Sequence, residues 1–301
     1  MKYLFFTFLF FIQFASTSQS NFFVKSDSLN SGRFVSISSG IALTWGLGSI
    51  GMYETWYSDY PSSKFHTFND AQNWLQMDKM GHFYTTNKFS MVTADLFQWS
   101  GLSNRRSALI GASVGLGLQT TLEVMDGYSS GWGFSWSDMT FNIAGALSFA
   151  AQQVFWEEQR FIFKFSYQPT PYAAIRPLIL GSTFTESFLK DYNGQTYWMS
   201  FSPASFFKSS KIPKWICLSL GYSVDQKLVG DEEEYYDLTS GISYHSQREY
   251  IFSLDIDFTK IEVNRPRPLL KALFKQLNHI KVPFPAIIYS NGRFSGQGLY
   301  F

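Results

Sequence analysis

The sequence predicts an α+β protein, in which an N-terminal bundle of four to five helices precedes an antiparallel β-meander forming a partial or small barrel-like sheet. Two changes of pattern indicate this class. Apolar residues recur with helical spacing from about residue 35 to 159, and they alternate with polar residues after Arg160. A late amphipathic segment, residues 266–280, interrupts the last strands with a helix. We therefore expect a helical domain over residues 21–160 and a β-rich domain over residues 161–301.

Residues 1–20 have the pattern of a secretory signal peptide. One Lys precedes about a dozen apolar residues and then a few small polar ones. The apolar run is shorter than the ~20 residues that a membrane span needs, which favours cleavage near Ser20 over an uncleaved anchor. The single cysteine, Cys217, lies far from this point, so lipidation there is not expected. We expect secretion across the inner membrane, to the periplasm or outer membrane of a Gram-negative-type envelope.

The composition narrows the class of partner. The formal net charge is +1, whereas nucleic-acid-binding domains usually carry a strongly basic face, so no nucleic-acid partner is expected. Charged residues make up only 16% of the chain and aromatic residues 19%. Amphipathic rings are useful at a membrane interface, which indicates a membrane or envelope component as partner. Protein partners are not predicted by any pattern in the chain.

Four segments of the first half are predicted to be helical: residues 34–57, 68–102, 105–126 and 135–160. The second begins with an Asn/Asp cap and allows two helices, the later one covering residues 78–99. Small residues in the last two segments allow close helix approach; they are Gly111, Gly115, Ala144, Gly145 and Ala146. A tightly packed soluble bundle and a membrane-embedded bundle both fit this pattern.

The second half alternates with a period of two. Residues 161–167 place Phe161, Phe163 and Phe165 on one face and Lys164 on the other. Similar alternation occurs in residues 215–225 and 249–260, and more weakly in residues 196–203 and 237–246. Six to eight strands are expected. Both a soluble sheet packed on the helices and a membrane-associated, barrel-like sheet fit, and the apolar and small-polar alternation slightly favours the second.

Ionisable residues recur at helical spacing within apolar surroundings. Asp78 and His82 are four residues apart, with Lys79 beside them, so they share one helix face. Glu123 lies in the third predicted helix, and Asp138 and Asn142 are four residues apart in the fourth. Buried carboxylates are costly unless they are paired or bound to a metal, so these groups predict one shared polar site. The loop at residues 127–137 would cover the site with Trp132 and Trp136.

Two stretches carry a resemblance to a known family. "DKMGHF" followed by "LEVMDGYSSGWGFSWSDMTFNIAGA" resembles the pattern Asp-Lys-x-x-His, Glu, Asp-x-x-x-Asn-x-x-Gly. This pattern is typical of the YfiM-like family of predicted periplasmic (lipo)proteins, which is uncharacterised, and more distantly of VanZ-like membrane proteins. The resemblance covers about residues 35–155 and implies a helical envelope domain. Its signature positions here are Asp78, Lys79, His82, Glu123, Asp138, Asn142 and Gly145.

The chain departs from this pattern in two ways. It has no cysteine at the position where the lipoproteins are lipidated, and it lacks the Arg that VanZ-like proteins carry between the Glu and the Asp. The resemblance therefore implies neither the same membrane attachment nor a shared reaction, and no activity can be transferred from it.

Three functional hypotheses follow. The favoured one is a structural or interaction protein of the envelope, whose polar cluster is a satisfied network. The second is an envelope hydrolase or transferase, with His82 as general acid or base oriented by Asp78 or Glu123. In it Lys79 lies near developing negative charge and Asp138 assists. The third is lipid or small-ligand binding under the 127–137 loop, by Asn142, Gly145, Trp132 and Trp136. One His with three carboxylates can also hold a divalent ion, but one His is a poor ligand set for zinc and no HExxH motif is present, so no metal ligands are assigned; the cofactor is unknown.

Overall fold

The four long predicted helices are present in the N-terminal half. A computed structural model describes residues 24–58, 60–207, 211–263 and 268–301; the predicted signal peptide lies outside the described residues. The helices are α1 (Ser31–Met52), α2 (Met77–Trp99), α3 (Asn104–Gly127) and α4 (Trp136–Phe155). A π-helical turn, Tyr53–Tyr57, extends α1. The prediction that the second segment divides, with its later helix at residues 78–99, is confirmed to within one residue.

Helix α2 is the centre of the bundle, and small residues let α3 and α4 approach it closely. A Cβ atom added to Gly111 would lie 2.3 Å from the Ser90 carbonyl oxygen, and one added to Gly145 would lie 2.3 Å from that of Phe83. These glycines are therefore required by backbone contact between helices. The predicted close packing is confirmed for both α3 and α4.

Helix α1 differs from the other three because its apolar side chains face outward. Only Ile37 is buried within it, whereas Leu43, Leu47 and Ile50 are 58–64% exposed. Within the described ranges, two helices, α1 and α3, are long and apolar enough to cross a membrane by length and composition. Signal sequences and core helices of soluble proteins meet the same criterion.

The C-terminal half is an antiparallel sheet. Its strands are β1 (Phe161–Tyr167), β2 (Gln195–Phe201), β3 (Ile216–Asp225), β6 (Gln247–Ile256), β7 (Phe284–Ser290) and β8 (Arg293–Tyr300), in that spatial order. A hairpin of β4 (Glu234–Asp237) and β5 (Ile242–His245) leaves the sheet between β3 and β6. Short helices α5 (Tyr172–Ile175), α6 (Pro177–Leu180) and α7 (Phe184–Lys190) connect β1 to β2, and α8 (Pro268–Leu277) precedes β7.

The predicted α+β class is confirmed, including the late helix. The sheet is open, because β1 and β8 are its two edges and are not paired with one another in the described part of the chain. It is strongly curled, since the Tyr300 hydroxyl in β8 lies 3.1 Å from the Thr196 hydroxyl in β2. The sheet is therefore curved like part of a barrel, as predicted, but its edge strands do not pair to close one.

The two faces of the sheet have opposite character. Across the strands, the register aligns an outward row of apolar residues: Phe163, Met199, Leu220, Phe252 and Ile287. Helix α2 covers the β1 end of this face, where Phe83 and Phe163 have ring centroids 4.7 Å apart. Beyond β2 the face is open, and Leu220, Phe252 and Ile287 are 44–53% exposed.

The inward face is buried and combines polar groups with an apolar cluster of Trp198, Ile251, Ala286, Ile288 and Tyr300. Lys164 and Asp255 are fully buried and form an ion pair with Nζ and Oδ2 3.0 Å apart. Lys164 also donates to the Ile256 carbonyl (2.7 Å), and the Ser200 hydroxyl donates to Asp255 (2.6 Å). Every charged atom of this pair therefore has a partner, as a buried ion pair requires.

Candidate functional site

The ammonium group of Lys79 lies inside a cage of three carboxylates. Its Nζ is 2.8 Å from Asp70, 2.9 Å from Asp78 and 2.8 Å from Asp138. Lys79 is only 1% exposed, so the cage is shielded from water. Because Asp70 precedes α2 and Asp138 lies in α4, this one side chain joins three segments of the helical half.

A left-handed turn presents this end of α2 to the cage. Trp74, Leu75 and Gln76 have φ values of 52°, 51° and 66°, which are uncommon for residues with side chains. The sheet holds the turn in place. The Tyr222 hydroxyl donates to the Leu75 carbonyl, and Arg248 donates to the Gln76 side chain at 2.8 Å. The β-rich half thus positions the first residues of the site.

The start of α4 is tied to the same site by its cap. The Ser135 side chain accepts a hydrogen bond from the backbone N–H of Asp138 (3.0 Å), which is an N-cap. The hydroxyls of Ser135 and Ser137 both donate to Asp70, at 2.6 and 2.8 Å. The cap therefore also fixes the loop that carries Asp70.

His82 lies one helical turn beyond Lys79, among three further polar groups. Its Nδ1 is 3.2 Å from Asn142 Oδ1 and 3.4 Å from Glu123 Oε1, and its Nε2 is 3.9 Å from Asp138 Oδ2. Asn142 Oδ1 also accepts a hydrogen bond from Thr86 (3.0 Å). Burial lowers the pKa of His82, so the ring is neutral at pH 7.

Glu123 is the least satisfied member of the site. It is fully buried, and its Oε2 accepts a hydrogen bond from the Ser135 N–H at 3.2 Å. Its Oε1 has no hydrogen-bond partner among the described residues. Burial, reinforced by the nearby charges of Asp138 and Asp126, raises the pKa of Glu123 to about 9. The side chain therefore carries a proton at neutral pH in the absence of another cation.

The carboxylates of the site outnumber its cations. Five carboxylates share it with the ammonium group of Lys79 and the neutral ring of His82: Asp70, Asp78, Glu123, Asp126 and Asp138. Burial disfavours the ionised form of Asp70, but hydrogen bonds from Lys79 and Ser135 outweigh it and lower the pKa to about 2. Burial raises the pKa of Asp126 to about 7, although Tyr57 donates a hydrogen bond to it (2.6 Å). The positive charge of Lys79 therefore stabilises the ionised carboxylates of its own cage more than it stabilises Asp126.

The 127–137 loop is held in place by hydrogen bonds and ring contacts. His66 Nε2 lies 2.7 Å from the Trp132 carbonyl oxygen, and the His66 N–H donates to the Gly127 carbonyl at 2.9 Å. The Trp132 ring packs on Tyr60, with centroids 4.5 Å apart, while Trp136 is 69% exposed. The Trp132 ring contacts Tyr57 and Tyr60, and the Trp136 ring contacts Phe134.

The sequence therefore predicts most, but not all, of this site. The structure brings together Asp78, Lys79, His82, Glu123, Asp138 and Asn142, and it places Gly145 at the crossing of α2 and α4. Sequence reasoning missed Asp70, Ser135 and Tyr57. Asp70 and Ser135 read as ordinary helix caps, and Tyr57 lies among many aromatics, so no local signal distinguishes them.

A comparison with protein families gives one match within the helical half. Residues 67–153 match the family described as a predicted periplasmic lipoprotein (DUF2279). The matched segment, less than a third of the chain, contains α2, α3, most of α4 and all five carboxylates of the site. Neither the curated proteins nor the solved structures contain a match.

The match supports an envelope protein whose N-terminal segment is compatible with a signal peptide. It does not decide between periplasm and outer membrane, and the likeness to YfiM-like and VanZ-like proteins stays a prediction. The lipidation in the family's description has no counterpart in the structure, since Cys217 is buried in β3.

Proposed function

We propose that this protein is a membrane-associated structural protein of the cell envelope, whose β-rich half turns an apolar face toward lipid. The observation that carries the proposal is the inverted character of the sheet. Its ion pair, Lys164 and Asp255, is buried, while Leu220, Phe252 and Ile287 face outward. A soluble sheet buries its apolar face, whereas lipid-facing strands turn it outward.

Helix α1 carries a second exposed apolar surface. Its side chains of Leu43, Leu47 and Ile50 are exposed, although soluble monomers rarely expose large contiguous apolar patches. Lipid satisfies such a surface without a partner of matching shape.

Basic residues mark one end of this surface. Trp45 of α1 donates to Thr121 of α3 (3.2 Å), and the Asn30 N–H before α1 donates to the Ser100 carbonyl before α3 (2.8 Å). The two helices therefore run parallel, and Arg33, Arg105 and Arg106 lie in their first turns at the same end. Lys and Arg near a membrane surface attract anionic headgroups by about 1 kcal/mol each.

The Lys79 cage supports a structural role for the helical half. It joins α2, α4 and the Asp70 loop through one buried cation. Both ring nitrogens of His82 face protein groups, Asn142 and Glu123 on one side and Asp138 on the other. This arrangement favours a locking network over the hydrolase or transferase hypothesis, in which one ring nitrogen faces a substrate.

Flotation with lipid vesicles tests the proposal. We expect the mature chain, transferred from detergent to phosphatidylethanolamine and phosphatidylglycerol vesicles, to float with them. The double variant Leu220→Asp, Phe252→Asp is expected to lose at least about tenfold in vesicle partitioning, since each Asp on a lipid-facing strand is unfavourable, though less so than the about 2–4 kcal/mol of Arg or Lys, and the two costs add. The matched control is Leu238→Asp, because Leu238 is 88% exposed but lies in the β4–β5 hairpin.

Three outcomes would overturn the proposal: wild-type protein that stays with the soluble fraction, a folded double variant that floats as well as wild type, or a defined dimer whose formation covers this face in the absence of lipid. Circular dichroism of each variant establishes that it is folded.

A further inference from the structure

Three potential metal-ligand atoms converge on one side of the site. A ring nitrogen of His82 and one carboxylate oxygen from each of Glu123 and Asp138 lie within 4.8 Å of one another. Around a tetrahedral ion with ligands at about 2.0–2.2 Å, ligand atoms are about 3.5 Å apart. Glu123 Oε1 and His82 Nδ1 are already 3.4 Å apart, so these two atoms have the required spacing, and a side-chain movement of Asp138 would complete the set.

The unpartnered oxygen of Glu123 points to a ligand at this place. Glu123 is fully buried and its Oε1 has no hydrogen-bond partner in the described chain, although buried polar atoms nearly always have one. A protein group fills the corresponding position in the neighbouring triad of Asp70, Asp78 and Asp138, where Lys79 is the cation. No side chain of the described residues does the same for Glu123.

Asp138 links the two triads through its two oxygens. Its Oδ1 is 2.8 Å from Lys79, and its Oδ2 is directed to the His82 side at 3.9 Å from Nε2. Lys79 therefore neutralises one oxygen and leaves the other without a close cation.

We propose that His82, Glu123 and Asp138 bind a divalent transition-metal cation of the Mn²⁺ or Zn²⁺ type. An imidazole with two carboxylates suits these ions better than Ca²⁺ or Mg²⁺, which prefer oxygen ligands alone. Three protein ligands leave a further position open, and the His82 side chain is 16% exposed, which gives that position access to solvent. This site is independent of the proposed lipid contact, since none of its residues lies in the sheet.

Metal content and metal titration test the proposal on the full mature chain in detergent. We expect protein stripped with EDTA to take up close to one equivalent of Mn²⁺ or Zn²⁺, with a raised Tm. Pulsed EPR of the Mn²⁺-loaded protein is expected to show coupling to an imidazole nitrogen. Both Ca²⁺ and Mg²⁺ at the same concentration are expected to bind at least about tenfold more weakly.

Variants assign the ligands. Glu123→Gln, Asp138→Asn and His82→Gln are each expected to weaken Mn²⁺ binding at least about tenfold, the lower end of the loss seen even for residues around ligands. His82→Gln is also expected to abolish the nitrogen coupling. The matched control is Asp95→Asn: Asp95 lies in α2, as His82 does, but pairs with Lys275 outside the site, and we expect affinity within about threefold of wild type.

The proposal is wrong if stripped wild-type protein takes up neither ion, or if bound Mn²⁺ shows no nitrogen coupling. It is equally wrong if folded Glu123→Gln binds as well as Asp95→Asn. Because the wild-type measurements alone decide the first two outcomes, misfolding of a variant does not leave the question open. Loss of metal binding would leave vesicle flotation unchanged, so the two proposals fail separately.

Discussion

Of the buried lysines in the described residues, Lys79 and Lys164 form ion pairs with carboxylates, and their two networks differ in charge balance. In the sheet, Lys164 meets a single carboxylate, Asp255, and each charged atom is paired or hydrogen-bonded. In the helical half, Lys79 meets three carboxylates while Glu123 and Asp126 lie nearby. The first network has equal positive and negative charge, whereas the second carries an excess of negative charge.

This difference indicates what each network does. A balanced buried pair is the usual requirement of a polar interior, and the curled sheet needs one because its apolar residues face outward. An unbalanced cluster costs stability unless protons or a further cation neutralise it. Proteins commonly accept such a cost where a site binds something, and the excess of negative charge lies at Glu123, where the cation site is proposed.

Removing Lys79 should have the largest effect on stability. Lys79→Met deletes the cation shared by Asp70, Asp78 and Asp138, and removing one partner of a buried ion pair costs about 3–5 kcal/mol. We expect a loss at or above the upper end, measured by chemical unfolding in detergent at pH 7.

The deficit of Lys79→Met should depend on pH. The pKa of Asp70 is lowered from 3.8 to about 2 in the folded protein, so its ionised form adds stability above pH 4 that is lost as the pH falls toward 2. The difference between wild type and variant should therefore shrink below pH 4. A pH-independent difference would show that the Asp70–Lys79 contact does not act through charge.

Removing the charge of Asp255 should have the next largest effect. Asp255→Asn leaves Lys164 buried without a counter-ion, and we expect a loss of about 3 kcal/mol in the unfolding free energy. Added Mn²⁺ should not change this loss. A loss below about 1 kcal/mol would mean that water reaches the sheet interior and that the two networks are less different than their geometry indicates.

The charge of Glu123 should act in the opposite direction. Its pKa is raised from 4.5 to about 9, so the folded state holds a proton that the unfolded state releases between these values. In metal-free wild type, this group lowers stability with rising pH by up to about 1.4 kcal/mol per unit across that window. Glu123→Gln lacks this contribution, so its free energy of unfolding should equal that of wild type near pH 4.5 and exceed it by pH 8.

Unfolding curves of both proteins in EDTA at several pH values measure this crossing. With Mn²⁺ added, wild type should regain its stability and the variant should not. A Glu123→Gln variant that is less stable than wild type at pH 8 in EDTA would show that the carboxylate is paired after all.

The sequence predicts helix positions well because each helix has its own local signal. The apolar spacing and the terminating glycine are contained within segments such as residues 104–127, where the boundaries agree to within one residue. Strand alternation is equally local, and it identifies the polar and apolar faces of β3 and β6.

The features that the sequence misses depend on contacts between distant segments. The left-handed turn at residues 74–76 is held by Tyr222 and Arg248, about 150 residues later in the chain, and nothing in "NWLQ" requires it. Asp70 joins the cage only because Ser135 and Ser137 fix its loop. Closure of the sheet also depends on whether its edge strands meet, which no single strand specifies.

The smallest predicted effect concerns the spacing that lets α4 complete the helical site. Gly145→Ala would place a Cβ 2.3 Å from the Phe83 carbonyl oxygen, and backbone cannot move away as a side chain would. Overpacking of this kind costs about 1–3 kcal/mol. We also expect weaker Mn²⁺ binding, because α4 carries Asp138 and any outward shift separates it from His82.

Gly46→Ala in α1 is the matched control, since an added Cβ there meets nothing within 4 Å. Alanine is a better helix former than glycine by about 0.5–1 kcal/mol, so this variant should be neutral or more stable. Both substitutions add the same methyl group, and only one adds it at the crossing with α2. If Gly145→Ala matched Gly46→Ala in stability and metal affinity, the position of α4 would be adjustable, and the convergence of Asp138, Glu123 and His82 would not depend on a rigid helix crossing.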